Sequence, residues 1–151
     1  MALRNIVKKG DETLRKKCFE VTEFNEKLHL LLDDMKDTLI RRSEGVGLAA
    51  PQIGVLRRIF IVKYENYYFE CVNPKMLEMK GKRTEKEGCL SVPGVSGDVE
   101  RPTKIKISFQ DRFGKEHTLK VTGFLARIFC HEYDHLDGIL FIDKAKNIDG
   151  E

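Results

Sequence analysis

The sequence lacks the long apolar segments that carry proteins into or across membranes. No run approaches the roughly 18 apolar residues that a membrane helix requires. The N-terminus also lacks the apolar core of a secretory signal peptide. We therefore expect neither a membrane protein nor a secreted one, but a cytoplasmic protein.

An excess of one charge sign is also missing. The chain has 27 Lys and Arg against 24 Asp and Glu, and its net charge is +3. Proteins that bind nucleic acid are usually more one-sided, so no specific nucleic-acid partner is expected. The densest basic segment, residues 80–86, is interpreted as a solvated loop.

The four cysteines do not show the paired spacing of secreted disulfide proteins. In a reducing cytosol, free thiols or metal ligands are the better interpretation. The sequence has no internal repeat and no linker, and its 151 residues fit one domain that spans residues 1–151.

Apolar residues recur at helical spacing between Thr22 and Arg42 and predict an amphipathic helix, with Thr22 as its N-cap. Residues 57–64 and 67–73 are rich in β-branched and aromatic residues and predict two strands, after which Pro74 is expected to limit pairing. Alternating apolar residues at 105–109 and 119–121 flank a turn and predict an antiparallel hairpin.

Residues 123–136 predict a second helix, with Thr122 as a possible N-cap and Gly138 as a stop signal. Four apolar residues suggest that it is buried on much of its circumference: Phe124, Leu125, Ile128 and Phe129. The predicted fold class is α+β, with mostly antiparallel β-sheets packed around this central helix.

The second helix carries the pattern His-Glu-x-x-His at residues 131–135. Positions four apart on a helix differ by about 40° in projection, so His131 and His135 point the same way and can hold one metal ion. Glu132 is rotated by about 100° and can reach a water molecule on that ion without being a ligand.

A third metal ligand must come from elsewhere in the chain. One metallopeptidase pattern requires a histidine where this sequence has Phe141, and another requires a later glutamate, for which only Glu151 is available. Cys89 is the strongest candidate, because its neighbour Gly88 allows the backbone to approach an ion closely. The other cysteines are interpreted as packing residues: Cys18, Cys71 and Cys130.

Three segments together resemble the peptide deformylase family: Gly-Val-Gly-Leu-Ala-Ala-Pro-Gln at 45–52, Glu-Gly-Cys-Leu-Ser at 87–91, and His-Glu-Tyr-Asp-His-Leu-Asp-Gly at 131–138. The similarity extends over nearly the whole chain. It implies hydrolysis of the N-formyl group from N-formylmethionine on nascent polypeptides, with release of formate. It also implies cytoplasmic action in a bacterium and a transient association with the ribosome.

The resemblance implies a role for each residue of these motifs. Cys89, His131 and His135 would bind the metal, whose fourth position holds water. Glu132 would be the general base and then the general acid. The side-chain amide of Gln52 and the backbone N–H of Leu90 would stabilise the charge that develops on the formyl oxygen.

Further expectations concern the substrate and the surroundings of the metal. Gly45, Val46 and Gly47 would contact the substrate backbone, with Gly47 the better candidate. Ile128 lies three residues before His131 and is expected to line the methionine pocket, with Val46, Leu125 and Phe129 behind it. Candidates for orienting the histidines are Asp134 and the pair Glu87–Arg101.

The resemblance implies one divalent metal, Fe(II) in the cell, and Zn, Ni or Co as possible substitutes. The chain departs from many family members at Cys130, where they have Gln, and at Ser96, where some have Arg. Two alternatives remain open at this point: a small metallopeptidase, and a structural zinc module, which would need a fourth protein ligand.

Overall fold

The computed structural model describes residues 3–42 and 45–150. Its regular elements are α1 (Glu26–Ile40), β1 (Gly47–Ala49), β2 (Ile59–Tyr64), β3 (Tyr67–Lys80), β4 (Arg83–Cys89), β5 (Val92–Arg101), β6 (Lys104–Gln110), β7 (Glu116–Thr122), α2 (Gly123–His135) and β8 (Lys146–Asp149). Three short 3₁₀ helices lie at Glu12–Arg15, Ala50–Ile53 and Phe141–Asp143. Within the described ranges, no helix has both the length and the apolar character needed to cross a bilayer.

The strands form two antiparallel sheets. The larger sheet has the order β1-β2-β3-β6-β7, and the smaller one has the order β4-β5-β8. Helix α2 packs on the larger sheet, where Phe129 makes edge-to-face contacts with Phe60 and Phe69. The predicted α+β class, with antiparallel sheets around the second helix, is confirmed.

The first helix begins later than the sequence predicts. Asn25 is its N-cap, because its side chain accepts a hydrogen bond from the N–H of Leu28, and Arg41 is its C-cap. The prediction of Thr22 as the N-cap was therefore wrong. The second helix matches its prediction closely: it follows Thr122, and Gly138 has a φ of +74° just beyond its end.

Three predicted details of the strands and the second helix were wrong. The strand predicted for residues 67–73 does not end there, because β3 runs on to Lys80. A register shift between Val72 and Lys75 leaves Pro74 outside the ladder, in agreement with the expectation that it limits pairing. Residues 80–86 are solvent-exposed but belong largely to β3 and β4 rather than to a loop. Phe124 is 45% exposed, because it lies in the first turn of α2, beyond the core.

The predicted hairpin at 105–109 and 119–121 is present as β6 and β7. The smaller sheet was not predicted. Its strand β4 is mostly charged and exposed, so it lacks the apolar alternation from which a strand is recognised. The turn between β4 and β5 consists of Leu90 and Ser91, and it carries Cys89 towards helix α2.

Candidate metal centre

Helix α2 and the end of strand β4 bring together three side chains that could hold a metal ion. Ligand atoms of Cys89, His131 and His135 all lie within 4.8 Å of one another. The Cys89 Sγ lies 3.4 Å from His135 Nε2, and the two imidazole centroids are 5.1 Å apart. The two histidines therefore share one side of the helix, as their spacing predicts, and Cys89 faces them from the smaller sheet.

The residues fit a divalent metal ion. One thiol sulfur and two imidazole nitrogens form a donor set that suits several first-row metals. His135 is buried, and its Nδ1 has no hydrogen-bond partner among the described residues. Burial lowers the pKa of His135 well below its usual range, so its ring is neutral and offers a lone pair for coordination.

Glu132 lies beside these residues and is almost completely buried, with 4% of its surface exposed. Its Oε1 has no hydrogen-bond partner in the described part of the chain. Burial raises the pKa of this carboxyl to about 7, although the nearby His131 opposes the shift. A carboxyl group with a pKa near neutrality is suited to exchange protons with a reacting molecule.

Gly47 provides the space that Glu132 occupies. A Cβ atom placed on Gly47 would lie 2.6 Å from Glu132 Oε2 and 2.8 Å from its Cγ. The sequence predicts only a substrate contact for this glycine. The geometry adds a second reason for its small size, because a side chain here would displace the carboxylate.

Gln52 lies on the short helix Ala50–Ile53 and is only 1% exposed, unlike a typical surface glutamine. Its Oε1 accepts a hydrogen bond from the Ala49 N–H, and its Nε2 donates to Ser91 Oγ at 3.1 Å and contacts Cys89 Sγ at 3.5 Å. The amide is thus held beside the sulfur of Cys89. Ser91 was not singled out from the sequence, because only the fold brings it to Gln52.

Glu87 orients His131 through a hydrogen bond of 3.0 Å to the imidazole Nδ1. Arg101 binds both oxygens of Glu87 and also donates to Asp134 at 2.6 Å. Burial alone would raise the pKa of Glu87, but hydrogen bonds from His131 and Arg101 lower it to about 2. Glu87 is therefore ionised and accepts the hydrogen bond from Nδ1 of His131. The other ring nitrogen, Nε2, is then available for a metal.

Asp134 was predicted as a residue that orients a histidine, but it makes no such hydrogen bond in the described structure. It binds Arg101 and Lys144 instead. Sequence reasoning also missed Arg127, whose buried side chain donates to Glu87 at 2.6 Å. An arginine at this position could have been noticed because it interrupts an otherwise apolar helix segment.

A cavity of about 580 Å³ opens onto Cys89, His131 and Glu132. Its wall includes the residues that were expected to bind substrate: Gly45, Val46, Gly47 and Ile128. Leu90, whose N–H was expected to stabilise the formyl oxygen, lines it as well. Ser96 and Phe124 also line it. Leu125 and Phe129, which were expected behind Ile128, are not among the described lining residues and pack in the core around the larger sheet.

The family model for polypeptide deformylase matches residues 3–151. The chain belongs to the peptide deformylase family. A peptide deformylase of Caldicellulosiruptor bescii is 53% identical over 145 residues, which cover 96% of this chain and 87% of that one. A peptide deformylase of Clostridium botulinum is 47% identical over 145 residues, covering 96% and 98% of the two chains.

Solved structures of the peptide deformylase family share the fold. The crystal structure of the Thermotoga maritima enzyme aligns with a TM-score of 0.94 at 37% identity, over 97% of this chain and 99% of that one. The Synechococcus elongatus enzyme in complex with actinonin aligns with a TM-score of 0.91 at 35% identity, over 95% and 79%. The peptide deformylase family is one of metal-dependent hydrolases, and the cluster of Cys89, His131 and His135 agrees with that chemistry.

Proposed function

We propose that this chain hydrolyses the N-formyl group of N-formylmethionine at the start of nascent polypeptides and releases formate. One observation carries the proposal. The donor atoms of Cys89, His131 and His135 lie together, and Cys89, His131 and the buried carboxyl of Glu132 line the cavity. Membership of the peptide deformylase family supports the same substrate.

Cys89, His131 and His135 would hold one divalent ion. When bound, the ion would act as a Lewis acid that makes a water molecule more acidic at neutral pH. Three protein ligands leave room for such a molecule, whereas a structural zinc site is closed by four. The structural zinc module is therefore disfavoured, because no fourth histidine or cysteine joins the cluster among the described residues.

Glu132 would act first as the general base and then as the general acid of the reaction. It takes a proton from the water that attacks the formyl carbon, and it then gives that proton to the nitrogen as the carbon–nitrogen bond breaks. The products are formate and a free amino terminus. The raised pKa of Glu132 suits both transfers, and its burial keeps bulk water away from them.

The formyl oxygen gains negative charge while water adds to the carbon. The Nε2 amide of Gln52 and the backbone N–H of Leu90 would donate hydrogen bonds to that oxygen. Their positions support these roles, since both residues line the cavity beside Cys89. The hydrogen bonds of Gln52 to Ala49 and Ser91 hold its amide in place before substrate binds.

The substrate backbone would lie along β1, which is an edge strand of the larger sheet. Unpaired N–H and C=O groups at such an edge can bind an extended peptide as an additional strand. Gly45, Val46 and Gly47 would supply these contacts. Ile128 would contact the methionine side chain, which is long, apolar and suited to a cavity with an apolar wall.

The metal in the cell would be Fe(II), with Zn, Ni or Co as substitutes, because a thiolate with two imidazoles accepts all four. Oxidation of iron would inactivate the enzyme. Anaerobic purification should then give a higher specific activity than aerobic purification. Equal activities would count against iron.

The remaining parts of the proposal concern the surroundings of the enzyme. Residues 1–151 would act as one catalytic domain in the bacterial cytoplasm. The enzyme would associate transiently with the ribosome, from which its substrates emerge. Neither a membrane nor a specific nucleic acid is required for the proposed reaction.

The deciding experiment measures formate released from a formyl-Met-Ala-Ser peptide by the metal-loaded protein. Release of formate with an intact peptide supports deformylation, whereas cleavage between amino acids would indicate a peptidase. Glu132→Ala should abolish turnover and leave metal content unchanged. Unchanged turnover in that variant would eliminate the role proposed for Glu132.

A further inference from the structure

Arg127 is a cation buried in the middle of helix α2, with only 4% of its surface exposed. Its Nη1 donates to Glu87 Oε2 at 2.6 Å and to the Val99 carbonyl at 2.9 Å, and its Nη2 donates to the Arg83 carbonyl at 2.6 Å. The partners lie on β4 and β5, so the side chain bridges α2 to the smaller sheet. A buried guanidinium is costly without partners, and these contacts compensate that cost.

The carboxylate of Glu87 is the point where Arg127 meets the metal centre. Its Oε1 accepts from Arg101 Nη2 and His131 Nδ1, and its Oε2 accepts from Arg101 Nε and Arg127 Nη1. Without Arg127, Oε2 would keep only its bond to Arg101. Apart from His131 itself, only Arg101 would then hold Glu87, and Arg101 also binds Asp134.

We infer that Arg127 is a positioning residue for the metal ligand His131 and acts through Glu87. The inference rests on the metal site proposed above. Arg127, which is itself held by the carbonyls of Arg83 and Val99, fixes one oxygen of Glu87, while the other oxygen of Glu87 fixes the imidazole. Loss of the direct hydrogen-bond partner of a metal ligand, which here is Glu87, typically weakens metal binding about 10–100-fold. Arg127 lies one step further from the ligand, so its loss should act at the lower end of that range.

Two substitutions separate the charge of Arg127 from its geometry. Arg127→Met removes every hydrogen bond and should weaken Zn(II) binding about tenfold. Arg127→Lys keeps a positive charge near Glu87 but cannot reproduce the planar fork that reaches Glu87 and both carbonyls. We expect Arg127→Lys to weaken binding less than Arg127→Met does.

A control is available at Arg112, an arginine that is less buried than Arg127 and binds two carboxylates. It lies in the turn after β6 and donates to Glu70 and Asp33. None of these three residues lines the cavity or belongs to the cluster of Cys89, His131 and His135. Arg112→Met should lower stability and leave the affinity for Zn(II) unchanged. If Arg127 had only a structural role, Arg127→Met would likewise lower stability and leave the affinity for Zn(II) unchanged.

The experiment measures the dissociation constant for Zn(II) by competition with a chromophoric chelator, with thermal unfolding of each zinc-loaded protein in parallel. Weaker zinc binding by Arg127→Met than by Arg112→Met supports the inference. Equal affinity of Arg127→Met and the parent protein overturns it, whatever the loss of stability. If Arg127→Met does not fold, Arg127→Lys is judged by the same comparison with Arg112→Met. Failure of the parent protein to bind zinc would overturn the proposed metal site as well.

Discussion

Replacing Gly47 with alanine should inactivate the enzyme through Glu132. The added Cβ would lie 2.6 Å from Glu132 Oε2, whereas ordinary contact begins at 3.4 Å, so relief requires a shift of about 0.8 Å. Because Glu132 is buried, the carboxylate has little space into which it can move. A displacement of about 1 Å in a catalytic constellation costs about 10²-fold in rate, so kcat should fall by about that factor.

The backbone itself should tolerate this substitution. Gly47 lies in strand β1 and does not have the positive φ that favours glycine. We therefore expect a folded protein with normal metal content, an unfolding temperature near that of the parent protein, and a low kcat with little change in KM.

A double-mutant cycle with Glu132→Ala tests the route of the effect. If Gly47→Ala acts by displacing Glu132, it should add almost nothing to the loss already caused by Glu132→Ala. The assay is formate release from a formyl-methionyl peptide, with metal content measured for all four proteins. Additive losses, or a raised KM with normal kcat, would refute the reasoning and assign Gly47 to substrate contact alone.

Three further predictions concern the core, the metal and the response to pH. Phe129→Ala removes a fully buried ring that contacts Phe60 and Phe69. It should lower the free energy of unfolding in urea by about 3–5 kcal/mol, and a loss below about 1 kcal/mol would contradict the burial of this ring in the core. Removal of the metal with a chelator should make Cys89 react quickly with a thiol reagent, because it is partly exposed whereas the other three cysteines are buried. Fast reaction that persists in Cys89→Ser would contradict this expectation. The hydrogen bond from Arg15 lowers the pKa of Asp143 below its usual value of 3.8. The ionised carboxylate therefore stabilises the fold fully above pH 3.8, and this stabilisation is lost as the pH falls through the lowered pKa. The urea midpoint of Asp143→Asn should lie below that of the parent protein at pH 7, and the difference between the two midpoints should disappear below pH 3.8.

Local sequence patterns correctly predicted the helices and strands that are specified by their own residues. The spacing of apolar residues predicted both long helices, and alternation predicted the hairpin of β6 and β7. The cap of α1 was misplaced because Thr22 and Asn25 are both acceptable N-caps, and the choice depends on where the chain leaves the preceding segment. Strand β4 was missed because its exposed charged residues carry no alternating pattern.

The sequence by itself determined that His131 and His135 share one side of a helix, because helical geometry places residues four apart on the same face. The tertiary structure alone decided that Cys89 meets them, that Gly47 leaves room for Glu132, and that Arg127 and Arg101 converge on Glu87. The physical reason is the range of the interactions. Backbone geometry fixes the relation between neighbours along a helix, whereas contacts between distant segments exist only once two sheets and a helix have packed together.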